Sequence, residues 1–199
     1  MRAIRSFLMT ALILPCFLTS KETTIIEPSQ TKDVIYIPQN DRKSCATTSL
    51  AMAITYYEKR NDHPLDKEAV WRISETDEKA VYQYGNDMDG LKKIANHFGY
   101  QSEFVEQMTI SDLEHHLAHG ALAILNIQTS HKNNTMYYAV LVIGYDQEKR
   151  LLYILDPANP SKRTIPYDEL HSHWKAHLSS PRGFFEQSGF IIYPKSPCK

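Results

Sequence analysis

Gln39-Asn-Asp-Arg-Lys-Ser-Cys45-Ala-Thr-Thr-Ser-Leu-Ala-Met-Ala-Ile-Thr-Tyr-Tyr57 is the stretch on which the reading of this chain turns. From Cys45 to Glu58 apolar side chains recur nearly all round a helical wheel, which predicts a buried central helix. Cys45 stands in its first turn, where backbone N–H groups and the helix dipole favour the thiolate. Gln39, six residues earlier, can fold beside the sulfur and donate its amide into a developing oxyanion. Together they make the front half of a site built on a nucleophilic thiol. The plainer reading of Cys45 is one half of a disulfide with Cys198, but Cys198 lies in a Ser-Pro-Cys-Lys tail that should fray.

Around that stretch the chain has 199 residues, enough for one well-buried domain and too few for two ordinary ones. Its formal net charge of −1 carries no nucleic-acid footprint. Residues 1–20 read as a signal peptide, with Arg2 and Arg5 ahead of an apolar run from Phe7 to Leu18 that is too short for a membrane span. Export to the periplasm or the medium is the expectation. Ile13-Leu14-Pro15-Cys16 offers a lipid anchor on Cys16 as the alternative, with proline a poor fit just before the cysteine.

Residues 21–32 are polar and without periodicity, so they read as a linker to a domain over 33–195. Further helices are expected from Pro64 to Ser74, with Ala69, Val70 and Ile73 on one face, and from Met88 to His97, capped by Asp87 and ended by Gly99. Another should run from Ser111 to His119 and close at Gly120. Ala121–Gln128, Met136–Tyr145 and Leu151–Leu155 are strand-like runs with short polar connections. A last helix, Tyr167 to Lys175, and a last strand, Gly189–Tyr193, follow. Helices first and a strand meander after predicts an α+β fold, with N-terminal helices forming one layer against an antiparallel sheet.

Two stretches together resemble the bacteriocin-processing (double-glycine) peptidases, cysteine-peptidase family 39 of the papain-like superfamily. One is Gln39 to Met52, matching that family's glutamine, five residues, cysteine and Ser-Leu-Ala-Met helix. The other is Tyr138-Ala-Val-Leu-Val-Ile-Gly-Tyr-Asp146 followed by Leu155-Asp156-Pro157. The likeness runs over about residues 33 to 193. It implies a papain-like fold, a peptide or protein as substrate or ligand, a bacterial source and no cofactor. It also implies Cys45 as nucleophile, Gln39 as oxyanion donor and Asp156 as the carboxylate that orients the base.

The chain departs from the family at the base itself. The histidine should stand six residues before Gly144, and that position is Tyr138. A free tyrosine has a pKa of about 10 against about 6.5 for histidine, so at neutral pH it donates and does not accept the thiol proton. It cannot form the thiolate–imidazolium pair of a papain-like site. The resulting expectation is a catalytically impaired homologue that keeps its cleft as a peptide-binding module. The alternative is an active cysteine peptidase or acyl-transfer enzyme that uses Cys45 with a substitute base.

Separate readings of these residues are simpler. Asp156 before Pro157 can just cap a turn, Gln39 can be a loop residue, and Tyr138 can be a strand residue chosen for β propensity. The helical pairs His115/His119 and His173/His177 have the i, i+4 spacing of metal ligands. No third ligand is placed by the sequence, so they read as solvated faces and no metal is expected.

Overall fold

The computed structural model describes residues 29–39, 41, 43–73, 88–131, 134–161, 163–178 and 183–195. In chain order these are β1 (Ser29–Thr31), α1 (Cys45–Tyr57), α2 (Lys67–Ile73), α3 (Met88–His97), β2 (Ser102–Val105), α4 (Ile110–Ala118), β3 (Leu122–His131), β4 (Asn134–Asp146), β5 (Leu151–Leu155), β6 (Thr164–Pro166), α5 (Tyr167–His173), β7 (Lys175–Leu178), β8 (Gly183–Glu186) and β9 (Gly189–Ile192). The proposed signal segment and the Asp87 cap lie outside the described residues.

One seven-stranded sheet runs β2-β9-β3-β4-β5-β6, with β1 added alongside β4, and every pairing is antiparallel. β7 and β8 form a separate hairpin. The chain is therefore α+β, as the sequence predicts. α1 packs over β4 and β3 and buries Leu50, Ala51, Met52, Ala53 and Ile54, which explains an apolar pattern with no solvent face. That cluster continues into Val70 of α2, Leu91 and Ile94 of α3, and the sheet residues Ile124, Leu141 and Leu155.

The one-layer expectation needs correction, because the opposite sheet face is covered too. Leu113 and Leu117 of α4, Leu170 of α5 and the indole of Trp174 pack there against Val140, Val142, Leu125, Leu152 and Ile154. Strands apolar on both faces require covering on both. α4 is held in place by a capping box: the Thr109 hydroxyl accepts from the Asp112 N–H, and the Asp112 carboxylate accepts from the Thr109 N–H. Gly99 and Gly120 follow α3 and α4 with φ of 75° and 89°, the left-handed conformation that glycine adopts without strain.

Two further boundaries move. Residues 29–31 lie within the expected linker, yet they pair with Gly144–Asp146 of β4 through the backbone, a contact that asks nothing of side-chain polarity. α2 begins at Lys67 and not near Pro64, and its Ala69 is exposed while Lys67 is buried. Among the described residues no helix is long and apolar enough to cross a membrane.

Candidate active site

The site is set by the place where β5 stops. β5 pairs with β4 only between Leu141 and Asp146, with a bulge between Val142 and Gly144. Two residues before that ladder, the N–H of Ala139 donates to Cys45 Sγ at 3.3 Å. The sulfur thus takes the position beside β4 that β5 leaves open, and α1 delivers it there as its first residue. Cys45 is a free thiol, and Cys198 lies outside the described residues.

The loop that leads into α1 is tied down by its own side chains. Asp41 Oδ1 accepts from the N–H of Lys43 at 2.6 Å and of Ser44 at 2.8 Å. This does the work of a cap, since the Ser44 side chain makes no capping bond. Gln39 Nε2 donates to the Asp41 carbonyl at 2.8 Å. The Gln39 N–H donates to the Pro157 carbonyl at 3.0 Å, and the Tyr36 hydroxyl donates to the same oxygen at 2.9 Å. The Gln39 loop and the Asp156-Pro157 turn are therefore stitched together next to Cys45.

Asp156 is buried, with 4% of its surface exposed, so its carboxylate is not simply a solvated turn residue. Its Oδ1 accepts from the Ala158 N–H at 2.9 Å and caps the turn that closes on Asn159. Capping and proximity to the thiol coexist here. The strand carrying Tyr138 alternates so that Tyr138, Val140 and Val142 meet the α4/α5 cluster, while Ala139 and Leu141 meet the α1 cluster. Leu152 and Ile154 of β5 lie on the Tyr138 side. Tyr138 thus packs against the α4/α5 cluster, whereas Cys45 packs against the α1 cluster on the other face of the sheet.

Electrostatics follow from this placement. Burial pushes the Cys45 thiol up. The N–H groups of Ala139, Ala46 and Cys45 pull it down, the Asp156 charge pushes it up again, and the net shift is upward. Burial likewise raises the Tyr36 phenol, which the Asp156 carboxylate reinforces and Arg163 opposes. The Arg163 guanidinium lies over the Tyr36 ring at 5.2 Å.

Several described histidine side chains have partners away from the thiol. His116 Nδ1 lies 3.0 Å from the Tyr193 hydroxyl, the His119 and His173 rings bond carbonyls of their own helices, and His171 lies by Gln187. The His115 and His119 rings are 4.2 Å apart, but among the described residues no group of three or more potential ligands could hold a metal ion. Sequence reasoning missed the Ala139 N–H, which no side-chain motif can announce. It also missed Asp41, whose spacing of three before Ser44 was the available signal.

A thiol at a helix start, a glutamine loop and a buried aspartate at the end of the next strand define a papain-like cysteine-peptidase fold. The Peptidase_C39 like family matches residues 31–179, and the chain belongs to it. A putative C39-like peptidase from Bacillus anthracis is similar in structure, with TM-score 0.57 and 16% identity over 83% of this chain and 96% of that one. A double glycine motif protease from an AMS/PCAT transporter, solved with a leader peptide, has TM-score 0.53 and 19% identity over 83% and 94%. Xylellain, a cysteine protease from Xylella fastidiosa, has TM-score 0.51 and 13% identity over 87% and 88%. No curated protein matches.

Proposed function

We infer that this chain is an exported C39-type peptidase homologue with impaired catalysis, whose Cys45 cleft serves as a peptide-binding module. The observation that carries the reading is the pair formed by Cys45 and Asp156. Burial above all, and after it the Asp156 charge, pushes the thiol up, and the family's histidine position is occupied by Tyr138. With an imidazole there, the carboxylate would stabilise an imidazolium and, through it, the thiolate. With a phenol there, the carboxylate and a thiolate are like charges with nothing between them to carry a proton at neutral pH.

Alkylation of Cys45 by iodoacetamide tests this directly. The expected rate is low at neutral pH and climbs on the alkaline side. A fast rate that stays flat down to about pH 5 would mean a thiolate–imidazolium pair formed by a substitute base, and would overturn the impaired reading in favour of an active hydrolase or acyl-transfer enzyme. Tyr138→His supplies the reciprocal arm. It should add an acid-side limb to the profile and, with a Gly-Gly peptide as probe, measurable cleavage. Unchanged thiol behaviour in a folded Tyr138→His protein would remove Tyr138 from the base position.

The neighbouring transporter protease solved with a leader peptide supports a peptide as the ligand class. The basic and apolar segment over residues 1–20 supports export. Intact mass of the protein from its native host should show a chain lacking those residues. A mass carrying acyl chains on Cys16 would instead mean a membrane-anchored lipoprotein.

A further inference from the structure

Among the described residues, Arg150 and Arg163 each hold a guanidinium over a tyrosine ring. Arg150 lies 5.6 Å from the centre of the Tyr167 ring, and its Nη2 also reaches Asp168 Oδ1 at 3.0 Å. Arg163 lies 5.2 Å from the centre of the Tyr36 ring, but among the described residues it makes no ion pair. The first arrangement is complete: a cation on an aromatic face, with a carboxylate beside it. The second has the cation and the face and lacks the carboxylate.

The place of the open arrangement gives it meaning. The Arg163 carbonyl accepts from the Ile154 N–H at 2.8 Å, two residues ahead of Asp156 in the chain. The Tyr36 hydroxyl donates to the Pro157 carbonyl at 2.9 Å, and the Gln39 N–H donates to that same oxygen at 3.0 Å. Backbone and ring together fix the guanidinium at the rim where the Asp156-Pro157 turn meets the Gln39 loop. Arg163 is exposed, so a ligand reaches it from solvent without opening the fold. A guanidinium already held against a ring loses less freedom when it takes a partner, and its planar fork matches a carboxylate with two parallel N–H bonds.

We propose that Arg163, stacked on Tyr36, is a specificity subsite for an acidic side chain of a peptide bound at the Cys45 cleft. The Glu or Asp carboxylate of the ligand takes the place that Asp168 takes beside Arg150. The proposal rests on the peptide-binding reading and adds what the cleft selects. The plainer role for Arg163 is a counter-charge to Asp156, since the two act in opposite senses on the Tyr36 phenol.

Fluorescently labelled alanine-based peptides containing Gly-Gly test it on the full-length mature protein, with Glu or Gln placed in turn at each other position. At one position, or two neighbouring ones, Glu should bind about fivefold tighter than Gln, the size of one partly exposed charge pair. Arg163→Met should erase that preference. Arg163→Lys should keep only part of it, because an ammonium has neither the fork nor the flat face that stacks. No Glu preference at any position, or one that survives Arg163→Met, overturns the subsite and leaves peptide binding standing. If Arg163→Met moves the Cys45 alkylation profile and leaves probe selectivity unchanged, Arg163 is the counter-charge of Asp156 and the subsite is again overturned. Failure of every probe to bind overturns the peptide-binding reading, and the subsite with it.

Discussion

At the scale of single residues, the sign of one interaction separates a working site from a disabled one. Burial is the main cause that raises the Cys45 thiol, and the Asp156 charge adds to it. Asp156→Asn keeps an oxygen to accept from the Ala158 N–H and removes the charge. The expected result is a Cys45 alkylation midpoint moved toward lower pH. A site with an imidazolium between sulfur and carboxylate would respond the other way, since losing the carboxylate weakens the cation that stabilises the thiolate. An upward shift in Asp156→Asn would therefore place a histidine in the cleft. That the Gln39 loop and the Asp156-Pro157 turn come together near Cys45 was legible in the sequence, because residue type and spacing single these positions out. The Ala139 N–H was not, since every residue but proline carries one and only the end of β5 determines which N–H meets the sulfur. The burial of Lys67 was missed for a related reason: a lysine opening a helix reads as solvent-exposed until the packing of α2 on α1 buries it.

At the scale of elements, the start of α1 depends on a side chain outside the helix. Ser44 occupies the N-cap position but makes no capping bond, and Asp41 holds the loop instead. Asp41→Ala should cost about 1 kcal/mol, the usual worth of a cap, read as a lowered Tm. Its pH dependence follows from a folded carboxyl below the ordinary range. The stabilisation is present above the unfolded-state pKa and is lost as pH falls through the lowered folded value. Asp41→Asn should flatten the acid-side decline of stability, and an unchanged decline would show that other carboxylates account for it. The long elements were legible because periodicity accumulates over their length, as in α1 and β4. β1, β2, β6 and the β7–β8 hairpin span three or four residues each. Too few positions exist there for alternation to register, and β1 joins β4 through backbone pairing, which residue type does not announce.

At the scale of the whole molecule, the sheet divides two cores with different duties. The core on the α1 side carries the thiol's helix, whereas the core under α4 and α5 closes the far face and centres on Leu113, Leu117, Leu170 and Trp174. Its buried Glu114 is fully engaged, accepting from the Tyr167 hydroxyl at 2.5 Å and from Gln147 Nε2 at 2.6 Å. Leu113 and Leu50 are both fully enclosed, one on each side. Truncating either to alanine should cost about 2–5 kcal/mol, with the value set by how far each cavity collapses. The functional consequences should differ. Leu50 lies on α1, five residues from Cys45, so Leu50→Ala should loosen the helix start and change the alkylation profile of the thiol. Leu113→Ala should lower the denaturation midpoint by a similar amount and leave that profile where it was, because β3 and β4 stand between the cavity and the sulfur and are paired continuously from Ala123–Val142 to His131–Asn134. If Leu113→Ala shifts the profile as far as Leu50→Ala does, the two cores behave as one unit and the sheet does not insulate the cleft.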